Sequence, residues 1–231
     1  MANTARNKPG TEPAVSNDDS QVIDNLQASY EKNKSRINIV IGVVIVALIA
    51  IFGYRYYSNS QETKASAAVF HAQRYFEMDS VAQALNGDGQ HAGFLKVMKK
   101  YSGTKVGNLC HYYAGVCYLK TGDFKNAIKQ LEDFDGKGTI VEYTAAGALG
   151  DAYMESGNIK KGIDAYNKAA GNKDDIALTP LYLQRTAMAY EMNNQPEEAK
   201  KIYKRIHDEY PQSMQARDID KNLARLGDLE Q

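Results

Sequence analysis

Leu149-Gly-Asp-Ala-Tyr153-Met-Glu-Ser-Gly157-Asn-Ile159 is the stretch whose reading decides the fold. Gly150 stands three residues before Tyr153, Gly157 makes a turn, and Ile159, Tyr166 and Ala169 carry a second helical stretch. The small-x-x-Tyr core recurs as Gly115-x-x-Tyr118 and Ala187-x-x-Tyr190, so the three tyrosines lie 35 and 37 residues apart. Self-similarity at this period marks stacked helix–turn–helix units, each too small to bury a core alone. The logic repeats each time: Gly or Ala lets two helix backbones approach closely, and a Tyr fills the groove beside the contact.

The spacing resembles that of tetratricopeptide repeats. In the first clear repeat, from Asn108 to about Phe134, helix A holds Ala114, Gly115 and Tyr118. Thr121-Gly122-Asp123 is its turn, and helix B holds Phe124, Ala127, Ile128, Leu131 and Phe134. The second runs from Tyr143 to about Ala170, with Gly162 where the family prefers Ala. The third, Pro180 to Pro211, carries Leu183, Ala187, Tyr190, Ala199, Tyr203 and Ile206, and its Pro196 suits the first turn of a helix. The Trp of early helix A is replaced by His111, Ala146 and Leu183, and the closing Pro survives in the third repeat alone. Upstream, Lys64 to Leu85 reads as one long helix, broken at Asn86-Gly-Asp-Gly89 and followed by a second helix from Phe94 to Tyr101. Downstream, Ala216, Ile219, Leu223 and Leu226 predict a C-terminal helix with a charged outer face, the polar cap a solenoid requires.

Ahead of the repeats, no charged residue appears from Ile37 to Tyr54, and Ile39 to Phe52 is almost wholly aliphatic. The stretch approaches the ~20 residues that cross a bilayer core and reads as one transmembrane helix. A cleaved signal peptide is the competing reading. Against it stand the polar leader before the apolar run and the Phe-Gly-Tyr-Arg-Tyr-Tyr that follows in place of a small-residue cleavage site. Lys32, Lys34 and Arg36 precede the span and Tyr54, Tyr56 and Tyr57 close it, so the positive-inside bias puts the N-terminus in the cytoplasm and the repeats across the membrane. The leader from Met1 to Pro13 is too polar to bury anything. Val22, Ile23, Leu26 and Tyr30 form one face of a short amphipathic helix, with Asp18, Asp19 and Ser20 as caps, lying on the bilayer or docked on a partner; a frayed juxtamembrane stalk helix is the competing reading.

The expected fold is therefore all-α: an N-terminal transmembrane helix followed by an α/α superhelical tetratricopeptide-repeat array. Its expected divisions are a cytoplasmic leader (1–36), the span (37–57), a long helix with a degenerate first repeat (62–104), three repeats (108–211) and a capping helix (212–231).

With 28 basic and 28 acidic residues the chain carries no net charge, which argues against nucleic acid as a partner. Of its aromatic residues 16 are Tyr, 6 are Phe and none is Trp, a bias that suits rings packed between helices with hydroxyls at the edge. Cys110 and Cys117 sit seven apart on a predicted helix, roughly 10.5 Å between Cα atoms, too far for a disulfide and lacking metal-ligand spacing. The four histidines share no ligand spacing, Asn86-Gly-Asp-Gly89 lacks the carboxylates of a calcium loop, and no glycine pattern fits a nucleotide. No catalytic residue, cofactor, metal or small-molecule substrate is expected, and the chain reads as no enzyme.

The resemblance implies a binding groove lined by helix A positions. These are Leu109, Tyr112 and Val116 in the first repeat, then Thr144, Gly147, Asp151, Met154 and Glu155 in the second. The third supplies Leu181, Gln184, Met188, Glu191 and Met192. Repeats that clamp the C-terminal carboxylate of cytosolic heat-shock proteins use Lys, Arg and Asn there; these positions carry none, which points to apolar or mildly basic segments. Packing of the same residues against the upstream helix or another chain is the competing reading. The whole layout resembles the YfgM-type ancillary subunits of the SecYEG translocon, which implies a bacterial inner-membrane protein with periplasmic repeats and protein partners: the translocon, a periplasmic chaperone or envelope polypeptides. A structural scaffold that binds no client and a cytoplasmic-facing adaptor are the alternatives.

Overall fold

The computed structural model describes residues 17–139 and 141–228, and the polar stretch from Met1 to Pro13 lies outside them. The chain divides into two units, Met1–Tyr57 and Ser58–Gln231.

In the first unit the described chain is helical throughout and belongs to α1 (Asn17–Glu77). Val22, Ile23, Leu26 and Tyr30 are exposed, as are Ile39 to Ile41, Val43 to Val46, Leu48, Ile49, Ile51 and Phe52. Among the described residues α1 is the one helix long and apolar enough to cross a membrane, with a mean hydropathy of 2.7 over its most apolar 18 residues. The amphipathic stretch is not the separate short helix expected of it. No Gly or Pro interrupts residues 17–41, so nothing stops the helix, and Asp18, Asp19 and Ser20 fall inside α1 rather than capping a helix of their own.

The second unit opens with the last turns of α1, where Ala65, Val69 and Ala72 at positions i, i+4 and i+7 are buried. Lys64 to Leu85 is not one helix. The chain turns at Asp79 (φ 56°) and resumes as α2 (Val81–Asn86) and α3 (Phe94–Lys100). The turn has the double hydrogen bond of a left-handed C-cap: Ser80 N–H donates to the Tyr75 carbonyl (2.8 Å) and Asp79 N–H to that of Phe76 (3.1 Å). Asp tolerates this conformation without the Gly that usually signals it.

Paired helices follow: α4 (Lys105–Lys120) with α5 (Phe124–Asp133), α6 (Glu142–Glu155) with α7 (Ile159–Ala169), and α8 (Leu178–Met192) with α9 (Pro196–Glu209). Each first helix ends as α1 does, with the carbonyl of its signature Tyr accepting an N–H five residues on. The bonds are Asp123 to Tyr118 (2.9 Å), Asn158 to Tyr153 (2.8 Å) and Gln195 to Tyr190 (2.9 Å). Ala72-x-x-Tyr75 is thus a further copy of the signature, and the end of α1 stands as helix A of the first repeat. The expected C-terminal helix begins as a 3-10 turn (Gln215–Asp218) and becomes α-helical as α10 (Ile219–Arg225).

The core runs between the helices. Ala65, Ala72, Phe94, Val97, Cys110, Ala114 and Cys117 bury together at its N-terminal end. Leu183, Ala187, Ala199, Tyr203, Ile206 and Ile219 do so at the other. Glu62, inside α1, ties that helix to the start of α4: its carboxylate accepts the N–H groups of Lys105 (2.8 Å) and Val106 (3.0 Å) at the N-terminus of α4, which would otherwise lack partners.

Candidate functional site

Helices α4, α6 and α8 bound an open groove of about 810 Å³ in the second unit. Met188 and Met192, one helical turn apart on α8, line it and also line an adjoining groove of about 500 Å³ towards α10. Both side chains are more than half exposed, Met188 by 53% and Met192 by 62%. Met154 lies deeper, with its sulfur facing Gly162.

Of the residues expected to line a groove, Asp151, Met154, Glu155, Met188 and Met192 meet in the first, and Gln184 and Glu191 join the methionines in the second. Leu109, Tyr112, Val116, Thr144 and Leu181 line neither and are half-buried. Tyr112 is taken up by its neighbours, 5.8 Å from the Phe134 ring and 5.4 Å from that of Tyr113. Gly147 is buried under the ring of Tyr182, which occupies the space a side chain would need. From α4 the groove takes Leu119 and Lys120 instead.

Cations are present where the helix A positions supply none. Arg185 reaches from α8 to pair with Asp151 on α6, and Tyr166 of α7 donates its hydroxyl to the same Asp151 oxygen (2.6 Å). The guanidinium stands 6.0 Å from the Tyr166 ring centre and 5.8 Å from that of Tyr182. The arrangement recurs one repeat later. Arg225 of α10 grips Glu191 with two hydrogen bonds (2.6 and 2.9 Å), and Tyr203 of α9 donates to Glu191 at 2.7 Å. Arg225 foremost, with help from Tyr203, holds the Glu191 carboxyl below the usual carboxylate range. Burial foremost, and then the carboxylate each one faces, push the Tyr166 and Tyr203 hydroxyls well up. Lys120 bonds to Asp79 at 2.6 Å. The separation Asp151 to Arg185 equals that of Glu191 to Arg225, 34 residues in each case, a signal legible in the sequence that a helix-A inventory passes over.

The Asp151 and Glu191 carboxylates are tied to arginines, burial pushes the Cys110 thiol up to about 12 and that of Cys117 up to about 11, and among the described residues no cluster of His, Cys, Asp and Glu could hold a metal ion. The groove offers a surface: exposed thioethers between ion pairs satisfied inside the protein, with Glu155 exposed beside them. A family model for a tetratricopeptide repeat-like domain matches residues 33–228. The chain belongs to that family. Tetratricopeptide repeat-like domains are protein-interaction scaffolds, and partner binding is what membership implies. No curated protein matches the sequence. Among solved structures, a fragment of MamA from Desulfovibrio magneticus RS-1 aligns with a TM-score of 0.50 and 20% identity, covering 62% of this chain and 73% of that one. Nearly identical repeats of a putative kinesin light chain from Podosopora anserina align with a TM-score of 0.54 and 15% identity, covering 71% and 85%. At such identities the likeness is one of tetratricopeptide fold.

Proposed function

We propose that this chain is a membrane-anchored adaptor of chaperone type, which holds a polypeptide-binding tetratricopeptide array beside the Sec translocon on the periplasmic side of a bacterial inner membrane. The observation that carries the reading is the open groove with Met188 and Met192 at its centre, a polarisable apolar surface of the kind that adapts to varied segments. Residues 37–57 serve as the anchor, consistent with the length and apolarity of α1, and Lys32, Lys34 and Arg36 favour a cytoplasmic N-terminus. In this layout, which resembles that of YfgM-type translocon subunits, residues 108–211 present the groove and 212–231 close the array.

Topology decides the location. Single cysteines at exposed repeat positions in a Cys110→Ala, Cys117→Ala chain, exposed to a membrane-impermeant thiol reagent, label in intact spheroplasts if the repeats are periplasmic. Labelling only after lysis sinks the periplasmic assignment and leaves the cytoplasmic-facing adaptor. Crosslinking in the membrane followed by pull-down should recover translocon components or nascent envelope proteins. Recovery of neither favours a scaffold without clients, in which Met188→Lys leaves assembly intact.

A further inference from the structure

We propose that the segment held by this groove is apolar and carries a single basic side chain, which sits at Glu155. The proposal rests on the reading of the groove as a polypeptide-binding surface and adds its selectivity.

Charge complementarity carries it. The strongest fixed charges of the two adjoining grooves are already spent inside the protein: Asp151 on Arg185, Glu191 on Arg225, and Lys120 on Asp79. Asp218 and Lys221, three residues apart at the far end, are opposite in sign. Glu155, exposed on the last turn of α6, is left as the uncompensated charge of the first groove. An acidic segment meets no unengaged guanidinium there, since both arginines are held by carboxylates and Arg185 also stands beside the rings of Tyr166 and Tyr182. An uncharged apolar segment would satisfy Met188 and Met192 and leave Glu155 partly desolvated beside it. A segment with one Lys or Arg answers both.

The test uses the full chain in lipid nanodiscs, with empty nanodiscs as the control for partition into lipid. Three fluorescent peptides of twelve residues are compared by anisotropy; they share a Leu/Met/Ala sequence and differ in one central residue, Lys, Gln or Glu. The Lys peptide is expected to bind about fivefold more tightly than the Glu peptide, the scale of one exposed ion pair, and the difference should shrink in high salt. Glu155→Lys should invert the order and Glu155→Gln abolish it, while Met188→Lys should weaken all three peptides together. Equal affinities for the three, an order unchanged by Glu155→Lys, or binding indifferent to Met188→Lys would overturn the assignment of Glu155 and leave polypeptide binding standing. Absence of binding by all three peptides to the unaltered chain overturns the selectivity and the groove reading alike.

Discussion

Asp151 and Arg185, 34 residues apart on α6 and α8, meet in an ion pair whose carboxylate oxygen also accepts the Tyr166 hydroxyl. Three helices from two repeats are thereby joined at one atom. The pair is part-exposed, 39% for the arginine side chain and 33% for the aspartate, so solvent screening limits its worth. Arg185→Met is expected to cost about 1 kcal/mol, read as a fall of roughly 2–4 °C in Tm. A double-mutant cycle with Asp151→Asn that returns no coupling would show that the pair is ornamental.

Two glycines should fail for different reasons. At Gly147 an added Cβ lies 2.1 Å from the Tyr182 ring, so Gly147→Ala must displace a buried aromatic and should cost about 1–3 kcal/mol in denaturant unfolding. At Gly122 there is open space, but φ is +77°, and Gly122→Ala should cost about 1 kcal/mol through the backbone alone. If both variants unfold at the unaltered midpoint, close helix approach is not what the small residues supply.

Glu191 and Tyr203 make one hydrogen bond with two pH limits. The Glu191 carboxyl is held below its ordinary value, first by Arg225, so its contribution is present above the unfolded value of about 4.3 and is lost as pH falls through the folded one. The Tyr203 hydroxyl is raised by burial and by Glu191, so its contribution is present below about pH 10 and is lost as pH rises towards the folded value. Stability measured against pH should therefore lose part of its acid limb in Glu191→Gln and part of its alkaline limb in Tyr203→Phe. Limbs that both variants leave unmoved would remove this bond from the pH response.

Much of this was legible in sequence, and the losses have identifiable causes. The period of the small-x-x-Tyr signature exposed the paired helices because it reports close packing, which few residues permit. The break at Asp79 was hidden because Asp replaces the Gly that marks the same turn at Gly122 and Gly157. Leu109, Tyr112 and Val116 were expected in the groove because their positions match the family's. In this chain, Phe134 and Tyr113 flank Tyr112. Arg185 was missed because a long side chain on a neighbouring position can reach where its own helix register does not point.

Cys110 and Cys117 are fully buried and their thiols are raised by desolvation, so both should resist alkylation in the folded protein and react promptly once it is unfolded. Rapid modification of the native chain at neutral pH would mean that the N-terminal core opens far more readily than its packing implies.

The carboxylate of Glu62 at the head of α4 belongs to a wider order. Glu62, Asp79, Glu132, Asp151 and Glu191 all precede in sequence the groups they bind: the α4 N–H groups, Lys120, Tyr153, Tyr166 with Arg185, and Tyr203 with Arg225. At these five places a chain emerging amino-terminus first sets the anion in water before its donor has been synthesised, whereas Asp88 and Asp228 follow their donors Tyr75 and Lys204. At those seams the arriving helix meets an acceptor already in place, an order that suits assembly advancing vectorially with the ribosome.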